Sequence, residues 1–155
     1  MRTTRLTQHV RAPRSAVWRA LVDARARATW MVPDGMTSHV HAFDAREGGA
    51  FRISLTYDAA DAQGKTQANT DTFHGRFVTL VRDERVVETL EFETDDPAMR
   101  GEMSVTYTLV DASGGTDVHA VHDNVPPGVS LDDNVTGWRM SLGKLAALVE
   151  SGEGG

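Results

Sequence analysis

The most constraining feature of this chain is a stripe near its end. Leu131, Val135, Trp138, Leu142, Leu145 and Leu148 follow one another at spacings of four, three, four, three and three. That is the period of one face of an α-helix, because residues three and four apart lie above one another on its surface. Ser130 stands just ahead of the stripe with Asp133 three residues on, a variant of the capping box that satisfies free N–H groups of a first turn. Asp132 and Asp133 at its start and Lys144 nearer its end suit the helix dipole. From Ser130 to Glu150 such a helix is about 30 Å long at 1.5 Å per residue. One apolar stripe of that length has to lie across a single broad apolar surface.

The rest of the chain supplies a sheet. Residues 3–11 alternate weakly (Leu6, Gln8, Val10) and predict a first strand, which Ala12-Pro13 ends. Val17, Trp18, Leu21 and Val22 then recur at helical spacing, and Asp23 is placed to cap a second short helix running to about Trp30-Met31. Beyond the turn Pro33-Asp34-Gly35 the period becomes two. Strands are predicted over 37–43, 51–57, 72–82, 85–93, 103–109 and 116–123, with turns at Glu47-Gly48-Gly49, Arg82-Asp83-Glu84 and Ser113-Gly114-Gly115. Residues 58–70 read as an exposed polar loop and Ser151-Gly-Glu-Gly-Gly as a disordered tail. Apolar residues occur on both parities of 72–82 (Phe73 and Phe77, Val78 and Leu80), so a bulge there decides which way His74 faces. Strands joined by short turns pair antiparallel, which gives strand, two short helices, six strands and a long helix in an α+β domain spanning residues 1–150.

Composition narrows the function. The 155 residues include no cysteine, which excludes disulfides, thiolate metal sites and cysteine nucleophiles. Acidic residues number 22 against 16 basic ones, for a net charge of −6 without a basic stripe, and this argues against nucleic-acid binding. No apolar run approaches the roughly 20 residues that span a bilayer, and the N-terminus lacks the apolar core of a signal peptide, so a cytoplasmic protein without membrane contact is expected. The sequon Asn134-Val135-Thr136 falls within the long helix and is read as chance.

The local motifs carry a resemblance. Trp30-Met31-Val32-Pro33, Gly48-Gly49-Ala50-Phe51-Arg52, Phe73-His74-Gly75-Arg76-Phe77 and the ending Gly137-Trp138-Arg139-Met140-Ser141-Leu142-Gly143-Lys144-Leu145 resemble the activator of Hsp90 ATPase branch of the START-like, or SRPBCC, superfamily. The resemblance extends over roughly residues 4–150. It implies a helix-grip fold, with a curved antiparallel sheet of six or seven strands around the C-terminal helix and a cavity between them. It also implies the range of work done on that fold: carriage of apolar molecules, assistance to a chaperone, or cyclase- and lyase-type catalysis on polyketide-like substrates.

Candidate site residues follow from the side chains facing the expected cavity. Phe51, Ile53, Leu55 and Tyr57 share one strand face, as do Met103, Val105 and Tyr107, while Trp138 and Leu142 lie on the helix stripe and Trp30 ends the second short helix. Tyr107 is the preferred ligand contact, since a phenol among inward-facing Val105 and Leu109 needs a partner for its hydroxyl. His74 and His122, at strand ends, are placed to edge a cavity mouth, where a neutral imidazole orients a carbonyl or hydroxyl or acts as a base. The competing reading is that His122 and Asn124 only cap the connection into the helix. His39 and His41, two apart on a strand, lack a third metal ligand in sequence, and no metal or cofactor is expected. Glu91 and Glu93 are read as a solvated strand face, and GxSxG is absent. The function expected is binding of a small apolar molecule, with a chaperone-directed interaction module and a cyclase- or lyase-type enzyme as alternatives, as monomer or homodimer.

Overall fold

The computed structural model describes residues 2–58 and 69–152. Its elements are β1 (Thr3–Val10), α1 (Arg14–Leu21), α2 (Ala24–Trp30), β2 (Met36–Phe43), β3 (Ala50–Tyr57), β4 (Thr70–Val81), β5 (Arg85–Phe92), β6 (Met103–Ala112), β7 (Gly115–Asp123) and α3 (Leu131–Glu150). The seven strands form one antiparallel sheet in the order β1-β7-β6-β5-β4-β3-β2. The first strand thus pairs with the last, and the two short helices carry the chain across to the opposite edge. Each expected element is present, and the fold is the helix-grip arrangement the resemblance implies. Residues 59–68 of the expected loop and 153–155 of the tail lie outside the described residues. Among those described, no helix is long and apolar enough to cross a membrane.

The alternation of each strand decides its faces. Phe51 and Ile53, Phe73 and Phe77, Val86 and Leu90, Met103 through Leu109 on odd positions, and Val118 and Ala120 all turn inward and are buried. The outer face carries Ser54, Thr72, His74, Arg52 and Glu93, joined by hydroxyl pairs such as Ser54–Thr72 at 2.8 Å and by the two-pronged Arg52–Glu93 ion pair. The mixed parity of β4 resolves at a bulge on Val78, where the register with β5 shifts between Phe77 and Thr79. Val78 faces solvent as the extra residue, and Leu80 returns to the inner side opposite Val86. A second bulge at His41 interrupts β2.

Gly75 marks where the sheet admits no side chain. It sits on β4 opposite Leu90, and a Cβ there would strike the Thr89 carbonyl oxygen and come within 2.7 Å of the Phe51 ring. Backbone cannot retreat as a flexible side chain can, so Gly75→Ala is expected to cost about 3 kcal/mol or more. Urea unfolding of the variant checks this.

The long helix does not lie evenly on the sheet. Ser141, Leu142, Leu145, Ala146 and Val149 are buried in its C-terminal half, whereas Leu131, Val135 and Trp138 in its N-terminal half are only half-buried. The stripe shifts by about one position along the helix, and α3 as a whole also meets α1, α2 and β1. Ser130 caps the helix as expected, its hydroxyl accepting from the Asp133 N–H at 3.2 Å. Arg2 ties down the connection from β7, donating to the carbonyls of Pro126 and, at 2.6 Å, Val129. With its first turns lifted in this way, α3 leaves a space over one end of the sheet.

Candidate functional site

That space is a half-open cavity of about 190 Å³. Its sheet wall is Leu55, Asp71, Phe73, Leu90, Phe92, Met103 and His122; its helix wall is Asp133, Asn134, Gly137, Trp138 and Ser141. Met31, Pro33 and Met36 close one side, and Val125, Pro126 and Val129 from the β7–α3 connection close the other. The surface is overwhelmingly apolar. Two methionines and a third on the sheet wall give it walls that can adjust to an occupant.

One polar cluster faces this cavity. The Trp138 indole N–H donates to His122 Nδ1 at 3.0 Å, and the Asn134 side-chain amide reaches the same nitrogen at 3.3 Å. The Thr4 hydroxyl holds Asn134 in that orientation, donating to its Oδ1 at 2.7 Å. An indole N–H only donates, so Nδ1 must accept and the imidazole proton sits on Nε2. Nε2 lies 3.1 Å from the Met103 sulfur. Burial lowers the His122 pKa to about 4, with Asn134 and the Asp123 carboxylate pulling weakly the other way. His122 is therefore a neutral N–H donor at neutral pH.

The core holds a second group, Arg27 with Glu88; in the sequence Glu88 stands out only in the alternation with Glu91 and Glu93 and is not brought together with Arg27. Arg27 and Glu88 are fully buried and form a two-pronged pair, with guanidinium–carboxylate distances of 2.9 and 3.0 Å. Arg27 Nε also donates to the Leu21 carbonyl at 2.7 Å. The guanidinium lies 5.4 Å from the ring centres of Trp30 and Tyr107 and 5.7 and 5.8 Å from those of Phe43 and Phe77. Burial is the largest influence and opposes its charge, but Glu88 and Tyr107 together outweigh it, so the Arg27 pKa is raised and the side chain stays a cation. Burial and then Glu88 hold the Tyr107 phenol well above its ordinary pKa. The Tyr107 hydroxyl has Arg27 and Glu88 as its polar neighbours but makes no well-formed hydrogen bond.

Of the residues singled out from sequence, Leu55, Met103, His122 and Trp138 meet on the cavity wall. Trp30, Phe51, Ile53, Val105, Tyr107 and Leu142 are packed in the core behind it. Tyr57 ends β3, half-buried, opposite Met36. His74 stands on the outer face, with Nδ1 3.0 Å from Glu93 and Nε2 3.2 Å from Glu91. It lies ahead of the Val78 bulge and so keeps the outward parity of Arg76. His39 and His41 are exposed, with ring centres 4.5 Å apart. No group of three or more His, Asp or Glu that could hold a metal occurs among the described residues. Asn124, not His122, serves the turn: its backbone is left-handed (φ 60°) and its amide donates to the Glu102 carbonyl at 2.6 Å.

In the sequence Asn134 stands out only as part of a chance sequon, and Asp71 is not singled out. Asn134 lies four residues before Trp138 and hence on its helix face, and Asp71 shares the inward parity of Phe73, so both signals were present.

Comparison with known proteins follows the same lines. The family model described as Activator of Hsp90 ATPase homolog 1-like protein matches residues 11–150. A solved structure of a protein from Chromobacterium violaceum is 36% identical, covers 96% of both chains and superposes with a TM-score of 0.85. A protein from Rhodobacter sphaeroides is 20% identical over 96% of this chain and 92% of that one, with a TM-score of 0.78. An AHSA1-like protein from Aeromonas hydrophila is 19% identical over 99% and 96%, with a TM-score of 0.70. No curated protein matches the sequence.

Proposed function

The chain belongs to the family of Activator of Hsp90 ATPase homolog 1-like proteins, and on that premise we propose that it binds a small apolar molecule in the cavity between its sheet and α3. The observation that carries this reading is the cavity itself: about 190 Å³, apolar on nearly every side, with one fixed cluster around His122 to orient an occupant. Ligand sites are mainly apolar with a few placed polar groups. An apolar cavity of about 150 Å³ in an unrelated protein is large enough to take up benzene.

A co-chaperone-like role, which family membership also supports, predicts an exposed apolar surface for a protein partner. Trp30 is fully buried and Trp18 half-buried, and the exposed large apolar residues Val78, Val110 and Met140 lie on three separate elements. Among the described residues the exposed large apolar side chains are thus scattered, whereas those lining the cavity are contiguous, which favours a small ligand over a docked protein.

Native mass spectrometry of the purified protein, before and after organic extraction, tests the proposal. A bound apolar molecule lost on extraction is the expected result. A bare mass, with no thermal shift across a panel of small aromatic and aliphatic compounds, would count against it. Stimulation of the host Hsp90 homologue's ATP turnover would favour the co-chaperone reading instead.

A further inference from the structure

Resting on the cavity reading above, we propose that the occupant is an uncharged molecule of about one ring in size, whose carbonyl or similar oxygen accepts a hydrogen bond from His122 Nε2–H. Three observations converge on this. The first is the direction of the donor. Trp138 and Asn134 both approach Nδ1, at 3.0 and 3.3 Å, so the only proton left to the ring is on Nε2. That proton faces the Met103 sulfur at 3.1 Å. A thioether is a weak acceptor on a flexible side chain, and both His122 and Met103 line the cavity. A ligand oxygen is a better acceptor and can displace it.

The second is charge. The charged side chains on the described wall are Asp71 and Asp133, and no lysine or arginine is among them. An anionic ligand would bring its charge into an apolar space whose described lining residues include no lysine or arginine to pair with it. The third is size. At about 190 Å³ the cavity falls below the roughly 300–1,000 Å³ of drug-sized ligand sites and suits a single substituted ring better than a lipid or sterol.

Three matched probes test this: acetophenone, ethylbenzene and benzoate, titrated against the wild type and His122→Phe. Acetophenone should bind the wild type and benzoate should not bind at the same concentrations. The advantage of acetophenone over ethylbenzene should fall roughly tenfold in His122→Phe, the upper end of what one hydrogen bond contributes. Ethylbenzene should bind both proteins alike, and His122→Gln, which keeps an N–H donor, should recover part of the advantage. If His122→Phe does not fold, Met103→Leu serves: removing the competing sulfur should raise the advantage. A ratio unchanged by His122→Phe or not raised by Met103→Leu, or tightest binding by benzoate, overturns this inference and leaves the cavity reading in place. Failure of acetophenone and ethylbenzene alike to bind overturns both.

Discussion

Arg27→Met is expected to destabilise the fold by about 4 kcal/mol, while the double variant Arg27→Met/Glu88→Leu should recover most of that loss. The pair is fully enclosed, with side chains 1% and 0% exposed. Removing Arg27 strands the fully buried Glu88 carboxylate beside the ring-lined space that the guanidinium filled, where no water can solvate it. Breaking such a pair costs about 3–5 kcal/mol, whereas replacing both members by apolar residues of similar volume is often neutral or stabilising. The Tyr107 hydroxyl already lacks a well-formed bond and loses little more in the double variant. Urea unfolding of the wild type, both single variants and the double variant closes the cycle. Equal losses in the single and double variants would mean that packing around Arg27, not the uncompensated charge, carries the stability.

Acid should destabilise the protein through His122 in a window of its own. Its pKa is about 4 in the folded chain, against about 6.5 for a solvated histidine. The unfolded chain therefore takes up a proton that the native chain refuses. The contribution is fully present above about pH 6.5 and is lost as pH falls towards 4. Integrated over that window it amounts to about 3 kcal/mol. His41 is lowered in the same sense, first by desolvation, but it is exposed and adds little. Glu93, pulled down to about 2 chiefly by the Arg52 guanidinium, acts lower: its contribution is lost between about pH 4.5 and 2. Denaturant unfolding at pH 7.0 and 4.5 should show a large fall in the wild type and a much smaller one in His122→Gln. Parallel falls in the two proteins would place the acid sensitivity elsewhere.

The cavity's position explains what could be read from sequence and what could not. Strands and helices were legible because their periods are strong and their turns carry the residues those turns need, as at Gly114 with φ 77°. Strand facing in β4 was not, because the bulge at Val78 changes parity within one strand and is fixed by its partner β5. The same limit applied to Glu88. Its parity with Val86, Leu90 and Phe92 places it inward, but a lone carboxylate in a core makes sense only once Arg27 arrives from α2. Tyr107 faces inward as its alternation implies, yet whether an inward residue meets the cavity or the core depends on where α3 lifts from the sheet. The apolar stripe of α3 is continuous in sequence, so the lift at its N-terminal half is a tertiary property, set by the connection that Arg2 holds.

The most direct measurement uses the three indole N–H signals as reporters. Trp138 lines the cavity, Trp30 is sealed in the core with its indole bonded to the Ala20 carbonyl at 2.8 Å, and Trp18 lies on α1, half-buried and outside the cavity lining. In a two-dimensional nitrogen–proton NMR titration with acetophenone, the Trp138 signal should shift and saturate while those of Trp18 and Trp30 stay in place. A Trp138 signal unmoved up to the solubility limit, or a response confined to Trp18, would contradict a ligand site between the sheet and α3.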